Sequence, residues 1–220
     1  MTQTNNMFYS QIGQDEYYIK NIINYKQNGY YVDVGAHDGI KLSNTYYLEK
    51  NLNWTGICIE ANEGLHQKLC VNRPNSINVN QLIYSQSDLE LHFEMALNKE
   101  IVEGNDMLSR ISNDEINAIN HDYFTEQFIQ SKTIKQKTKT LTDVLDAANA
   151  PNTIDYCSID IEGAELACLE GIRFDKYKFL FITIEHGYRE DFKNKIINRL
   201  CQNNYKLHRI NQFDMEFVPM

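Results

Sequence analysis

Asp33, Gly35, Gly39 and Glu60 are the residues whose types and spacing first suggest chemistry. They frame the stretch YYVDVGAHDG (30–39), in which a β-type apolar run ends in an acid and then in two spaced glycines. The run predicts a buried strand. The glycines can take φ > 0 or admit a ligand against the backbone. A helix starting near Ser43 would turn its unpaired N–H groups toward that ligand. Glu60 closes the next apolar run, WTGICIE (54–60), at the neighbouring strand edge where a nucleoside ribose would lie. A carboxylate there can accept from both ribose hydroxyls, each bond contributing about 1.5–3 kcal/mol. The dinucleotide fingerprint needs glycines where this chain has His37 and Ile40, which makes a nicotinamide cofactor the weakest reading.

A second group of acids gathers later in the chain. Asp160, Glu162 and Glu165 lie in SIDIEGAEL (158–166), and Glu185 and His186 end ITIEH (182–186). In an open α/β sheet both segments deliver their polar ends to one edge. Such a set suits general-base catalysis, with Asp160 or His186 as base and Glu185 orienting or polarising. Asp160, Glu162 and Glu185 also supply hard oxygen ligands for a divalent cation such as Mg²⁺, which would acidify a hydroxyl directly. On its own Glu165 reads as an acid in the first turn of its helix, and His186 as a partly buried ring.

The elements that must position these groups follow from periodicity. A helix with Ile19, Ile22 and Ile23 on one face is expected between Asp15 and Gly29. Further helices are predicted at 43–52, after an Asn62 cap with Leu65 and Leu69, from Thr142 to Ala148, and along Phe192, Ile196, Ile197 and Leu200. Strands are predicted at 77–80, at 89–95 by alternation of Leu89, Leu91, Phe93 and Met95, at 154–160 and at 179–185. Residues 205–210 and 213–218 read as a terminal hairpin. Lys132, Lys135, Lys137 and Lys139 read as the wet face of an edge strand. The weakly periodic stretch 98–131, with a helix around 116–124, is a candidate lid or a surface excursion. Together these predict one α/β domain over 1–220, a mostly parallel doubly wound sheet with an antiparallel strand from the C-terminal hairpin.

Bulk properties narrow the partners. A net charge of −9 argues against a nucleic-acid backbone. No apolar run is long enough to span a bilayer and the first residues lack a signal pattern, so a cytoplasmic protein is expected. The five cysteines form no CxxC pair, and buried free thiols are the expected state.

Read together, SQIGQD (10–15), VDVGAHDG (32–39), SNT (43–45), GICIEAN (56–62), SIDIEGAEL and ITIEH closely resemble the FkbM family of S-adenosylmethionine-dependent methyltransferases. The resemblance implies a Rossmann-like class I methyltransferase fold and transfer of a methyl group to a hydroxyl of a small acceptor, a sugar or glycan before a polyketide product. It assigns Asp33, Gly35, Ala36, His37, Asp38 and Gly39 to the cofactor turn, with Ser43 and Asn44 following and Glu60 and Ala61 at the ribose. Asp160, Glu162 and Glu165 match the family's DxEGxE segment. Because the sulfonium charge disappears in the transition state, a carboxylate beside sulfur would hold the ground state more tightly. Useful acids therefore belong on the ribose, on the methionyl amine or at the acceptor hydroxyl. A methyltransferase-like binding module without turnover is the alternative from outside enzymology.

Overall fold

The aromatic and β-branched run YYVDV forms strand β1 (Tyr30–Val34), and the rest of the main sheet assembles on its two sides. The computed structural model describes residues 8–96, 109–111 and 131–220. β1 pairs in parallel with β2 (Thr55–Ile59) on one side and with β9 (Tyr156–Ile159) on the other. Beyond β2 lies β3 (Ile77–Val79); beyond β9 lies β11 (Ile182–Glu185). β13 (Asp214–Pro219) runs antiparallel to β11 and carries β12 (Tyr205–Asn211) as its hairpin partner. The order β12-β13-β11-β9-β1-β2-β3 is parallel except at β13, as the sequence predicts.

Alternation along the strands separates two cores. Val32, Val34, Ile57, Ile59, Ile159 and Ile184 pack beneath α4 (Leu141–Ala147), α5 (Glu165–Glu170) and α6 (Glu190–Cys201). Tyr31, Cys58 and Tyr156 face the other way, against α1 (Gln14–Tyr17) and its π-helical continuation Tyr18–Ile22, α2 (Tyr46–Leu52) and α3 (Glu63–Asn72). Successive strand residues point to opposite faces, so Asp33 shares the side of Tyr31.

A second sheet, ordered β4-β7-β5-β6, is built from β4 (Leu82–Ile83), β5 (Glu90–Ala96), β6 (Arg110–Ile111) and β7 (Ser131–Lys139). Its Leu82, Phe93 and Ile111 form a small core with Ala164, placing this sheet over the carboxyl edge of the larger one. β7 is not an edge strand: it is flanked by β4 and β5. Its lysines nevertheless face water, with Lys135 2.9 Å from Glu90 and Lys139 3.0 Å from Asp88.

Several boundaries differ from expectation. The first helix ends at Ile22, far short of Gly29, because Asn24 and Tyr25 take positive φ and break it. The strands expected at 154–160 and 179–185 are each interrupted, leaving the short pair β8 (Thr153–Ile154) and β10 (Lys178–Phe179) beside the main sheet. Thr140, not Thr142, caps α4 by accepting from the Asp143 N–H; Thr142 instead donates to the Gly171 carbonyl and accepts from the Arg173 N–H. Cys58, Cys157 and Cys168 are buried thiols as expected, whereas Cys70 and Cys201 are exposed. The candidate lid at 98–131 and its helix lie, apart from 109–111 and 131, outside the described residues. No described helix is long and apolar enough to cross a membrane.

Candidate active site

The turn after β1 is shaped by contacts within the protein. Gly35 has φ +92°, and a Cβ there would sit 1.7 Å from the Asp160 carbonyl oxygen. Gly39 has φ +83°, and its Cβ would come within 2.6 Å of Arg73 Cγ and Leu69 Cδ1. Both glycines therefore hold the positive φ that the sequence suggests, but what approaches them closely is the chain itself. Arg73, fully buried at the end of α3, donates from Nη1 to the Gly39 carbonyl at 3.0 Å and pairs with Glu49 at 2.5 Å. Asp38 closes the turn by accepting from the Ile40 and Lys41 N–H groups at 2.9 and 2.8 Å. The neighbouring His37 and these bonds hold its carboxyl well below the usual range.

Glu60 reaches back across the strand ends. Its Oε2 accepts from the His37 N–H at 2.9 Å and its Oε1 from the Asn62 N–H at 2.7 Å. Burial pushes its carboxyl up to about 7. It lies in an open cleft together with Ala61, Leu82, Phe93, Ile111 and Arg110. An apolar slot with a carboxylate at one end suits a flat base joined to a hydroxyl-bearing sugar.

A second cleft, about 440 Å³, is lined by Gln14, Asp33, Ala36, Ser43, Asn44 and Ser158. Asp33 is buried, accepts from Thr45 Oγ1 at 2.6 Å, and is raised above the usual carboxylate range by burial. Ser43 Oγ accepts from the Thr45 and Tyr46 N–H groups and so stands in for the cap of α2. Asn44 donates from Nδ2 to Ser158 Oγ at 2.9 Å. Its Oδ1 is buried without a partner, an acceptor available to a cationic donor. Gly35, His37 and Asp160 line both clefts.

Asp160, Glu162 and Glu185 bring carboxylate oxygens within 4.8 Å of one another. Asp160 is exposed at the mouth and the other two are half-buried. All three carboxyls are raised, first by the surrounding protein mass; for Glu162 and Glu185 the mutual repulsion of the acids adds to it. Asp160 and Glu185 are close enough to hold their protons as a pair. Asp214 faces Glu185 in the sheet register, accepts from Gln14 Nε2 at 2.7 Å and is pushed by burial up to about 7.

Two expected members of this set are employed elsewhere. Glu165 is fully buried and accepts from the Ile161 and Gly163 N–H groups, with Arg189 3.9 Å away. It closes the loop after β9, where Glu162 and Gly163 take φ +53° and +107°, and it does not join the three clustered acids. His186 follows Glu185 at the strand end, and alternation turns its ring away from the acids toward Tyr188, Arg189, Glu190 and Lys193. It lines neither cleft.

Gln14, Arg110 and Asp214 escaped the sequence reading. Gln14 and Asp214 stand at opposite ends of the chain and meet only through the fold, and Arg110 sits in a weakly patterned stretch.

The methyltransferase FkbM domain family matches residues 33–209. Comparison with curated protein sequences gave no match. Among solved structures, methyltransferase FkbM from Methylobacillus flagellatus KT superposes with a TM-score of 0.56 at 13% identity, over 96% of this chain and 48% of that one. This chain thus spans about half the length of that structure. The METTL16 methyltransferase domain gives 0.50 at 8% identity, over 97% and 69% of the two chains. A putative RNA methyltransferase from Pyrococcus horikoshii gives 0.48 at 10%, over 95% and 83%. At such identities the likeness is one of fold, the α/β class I methyltransferase arrangement already read from the strand order. With the family's domain matched from Asp33 in β1 to Arg209 in the last hairpin, this chain belongs to the FkbM methyltransferase domain family.

Proposed function

We propose that this chain, acting as a single domain, transfers a methyl group from S-adenosylmethionine to a hydroxyl of a small acceptor, a sugar or glycan in first place. The observation that carries the reading is Asp160, which lines both clefts and clusters with Glu162 and Glu185. The first cleft fits the nucleoside, with Glu60 accepting from the ribose hydroxyls. The second fits the methionyl end, with Asn44 Oδ1 and Asp33 facing its ammonium. The cofactor supplies an electrophilic methyl group when bound.

What the chain adds is control of the acceptor's proton. A neutral hydroxyl is a poor nucleophile, and a base in hydrogen-bond reach contributes about 10²–10⁴-fold. A carboxylate lifted above its ordinary range is a better base than one in water. Asp160 takes the proton in this scheme. Glu185, clustered with it, orients or polarises the acceptor. The five unpaired cysteines suit a cytoplasmic setting.

A second reading has one specific observation behind it, the oxygens of Asp160, Glu162 and Glu185 within 4.8 Å. Hard carboxylate donors in that number fit Mg²⁺, which would acidify the bound hydroxyl. Mass detection of methyl gain across pyranosides, polyols and phenols tests the acceptor class. Asp160→Asn should lower kcat by about 10²–10⁴ with cofactor affinity kept. Loss of turnover in EDTA, restored by Mg²⁺, would select the metal reading, and transfer only to phenols would overturn the sugar assignment.

A further inference from the structure

Thr45 holds the N-cap position of α2, where a threonine hydroxyl ordinarily accepts from the first helical N–H groups, yet its side chain makes no such bond. Ser43 takes over that work, its Oγ accepting from the Thr45 and Tyr46 N–H groups at 3.2 and 3.0 Å. The Thr45 hydroxyl is thereby released for another partner. It is fully buried, lines neither cleft, and donates to Asp33 Oδ2 at 2.6 Å.

Arg73 holds the other side of that hydroxyl. All five N–H groups of its guanidinium are bonded: Nε to Glu49, Nη1 to the Gly39 carbonyl and Thr45 Oγ1, Nη2 to the Tyr31 hydroxyl and again to Thr45 Oγ1. The two bonds to Thr45 measure 3.3 and 3.2 Å. A hydroxyl has a single proton and a pair of accepting sites, and a guanidinium cannot accept. With Arg73 on the accepting side, the Thr45 proton goes to Asp33 at 2.6 Å in preference to Ser43 Oγ at 3.4 Å, because a bond to a carboxylate is the stronger. Burial raises the Asp33 carboxyl, and the Thr45 bond and the Arg73 charge both work against it. The line from Arg73 through Thr45 ends at Asp33, which lines the second cleft.

We infer that Thr45, oriented by Arg73, is a positioning residue for the cofactor: it fixes the Asp33 carboxylate for the methionyl ammonium without touching the cofactor itself. The inference rests on the reading of the second cleft as the methionyl end. It divides the work of the SNT segment, Ser43 serving the helix and Thr45 the acid.

Calorimetric titration of the full chain with two probes tests it. S-adenosylhomocysteine carries the amino-acid end; 5′-methylthioadenosine has the nucleoside and the sulfur but lacks that end. Thr45→Val keeps the shape and removes the hydroxyl. It should weaken S-adenosylhomocysteine roughly three- to thirtyfold and leave 5′-methylthioadenosine within about twofold of wild type. Thr45→Ser, which keeps a hydroxyl, should bind S-adenosylhomocysteine as wild type does. Arg73→Lys retains the charge but not the fork, so it should shift the ratio of the two affinities in the same direction, and combining it with Thr45→Val should shift that ratio little further. Equal loss of both probes, or unchanged S-adenosylhomocysteine affinity in Thr45→Val, would overturn the positioning role and leave the cofactor reading standing. Wild-type protein that binds neither probe would overturn the cofactor reading and the inference with it.

Discussion

The backbone N–H of His37 donates to Glu60 Oε2 at 2.9 Å, joining the glycine turn of β1 to the acid at the end of β2. Each carboxylate oxygen of Glu60 is thereby used once by backbone, at His37 and at Asn62, and each keeps a lone pair for a ligand hydroxyl. Glu60→Ala should weaken S-adenosylmethionine binding by about 1.5–3 kcal/mol, roughly 10- to 150-fold in Kd. Because the carboxyl is pushed up to about 7, wild-type affinity should also rise as pH is raised from 6 to 8, with net proton release on binding. Calorimetry in buffers of different ionisation enthalpy measures both. A folded alanine variant with wild-type affinity would remove Glu60 from the cofactor site.

The same burial sets a pH dependence on stability. Glu60 and Asp214 are raised to about 7 and Glu165 to about 6, from 4.5, 3.8 and 4.5. Across that window the folded state binds more protons than the unfolded state, so unfolding free energy falls as pH rises. Each pKa unit corresponds to about 1.4 kcal/mol, which makes Glu60 alone worth on the order of 3 kcal/mol between pH 4.5 and 8. Asp38 acts oppositely, its depressed carboxyl stabilising above its unfolded pKa and losing that contribution only in stronger acid. The ligand-free protein should therefore melt several degrees higher near pH 5 than near pH 8. A melting temperature that climbs from pH 5 to 8 would contradict the placement of these acids in dry surroundings.

Strand β1, its glycine turn and the acid ending β2 were legible because their signals are local. A β-type run fixes a strand end, and a carboxylate at that end can only lie on the ligand edge of such a sheet. Glu165 was harder, since its work depends on the left-handed turn at Glu162 and Gly163 that carries Ile161 N and Gly163 N back to its oxygens. His186 and Glu185 are neighbours in sequence, and only the register of β11 decides which one faces the acids. Thr140 and Thr142 flank Leu141 alike, so composition could not say which caps α4. Arg73 ends α3, and Tyr31, Thr45, Glu49 and Gly39 converge on it from other elements, a gathering that no local pattern announces.

Gly35 gives a sharper test of the turn. Alanine there would meet the Asp160 carbonyl oxygen at 1.7 Å and would hold φ +92°, a conformation unfavourable for any L side chain. The contact is with backbone, so relief requires moving β1's turn or the loop after β9. Gly35→Ala should destabilise the fold by several kcal/mol, in the range where backbone strain and steric overlap add. Any soluble fraction should bind S-adenosylhomocysteine poorly. Chemical denaturation with an unchanged midpoint would show that the turn does not press on Asp160.

Glu185 allows repulsion among the acids to be measured directly. It lies within 4.8 Å of Asp160 and Glu162 and stands opposite Asp214 in the sheet. Arg189 is 3.9 Å from Glu165 and lowers Glu162 along with Arg110, yet the carboxyls still rise, so these cations do not offset the crowding. Glutamine at 185 keeps the shape and can donate to a neighbouring carboxylate, while removing one group that must either hold a proton or add a charge. Glu185→Gln should therefore raise the melting temperature at pH 8, by about 2–4 °C for each kcal/mol of relieved repulsion in a chain of this size. The gain should shrink as the pH is lowered to 5 and the raised carboxyl more readily keeps its proton. The direction follows from the raised carboxyl: the cost of keeping or ionising it grows as protons become scarce. Thermal melts of both proteins across that range decide the matter, and a gain independent of pH would mean that packing, not charge, separates the two side chains.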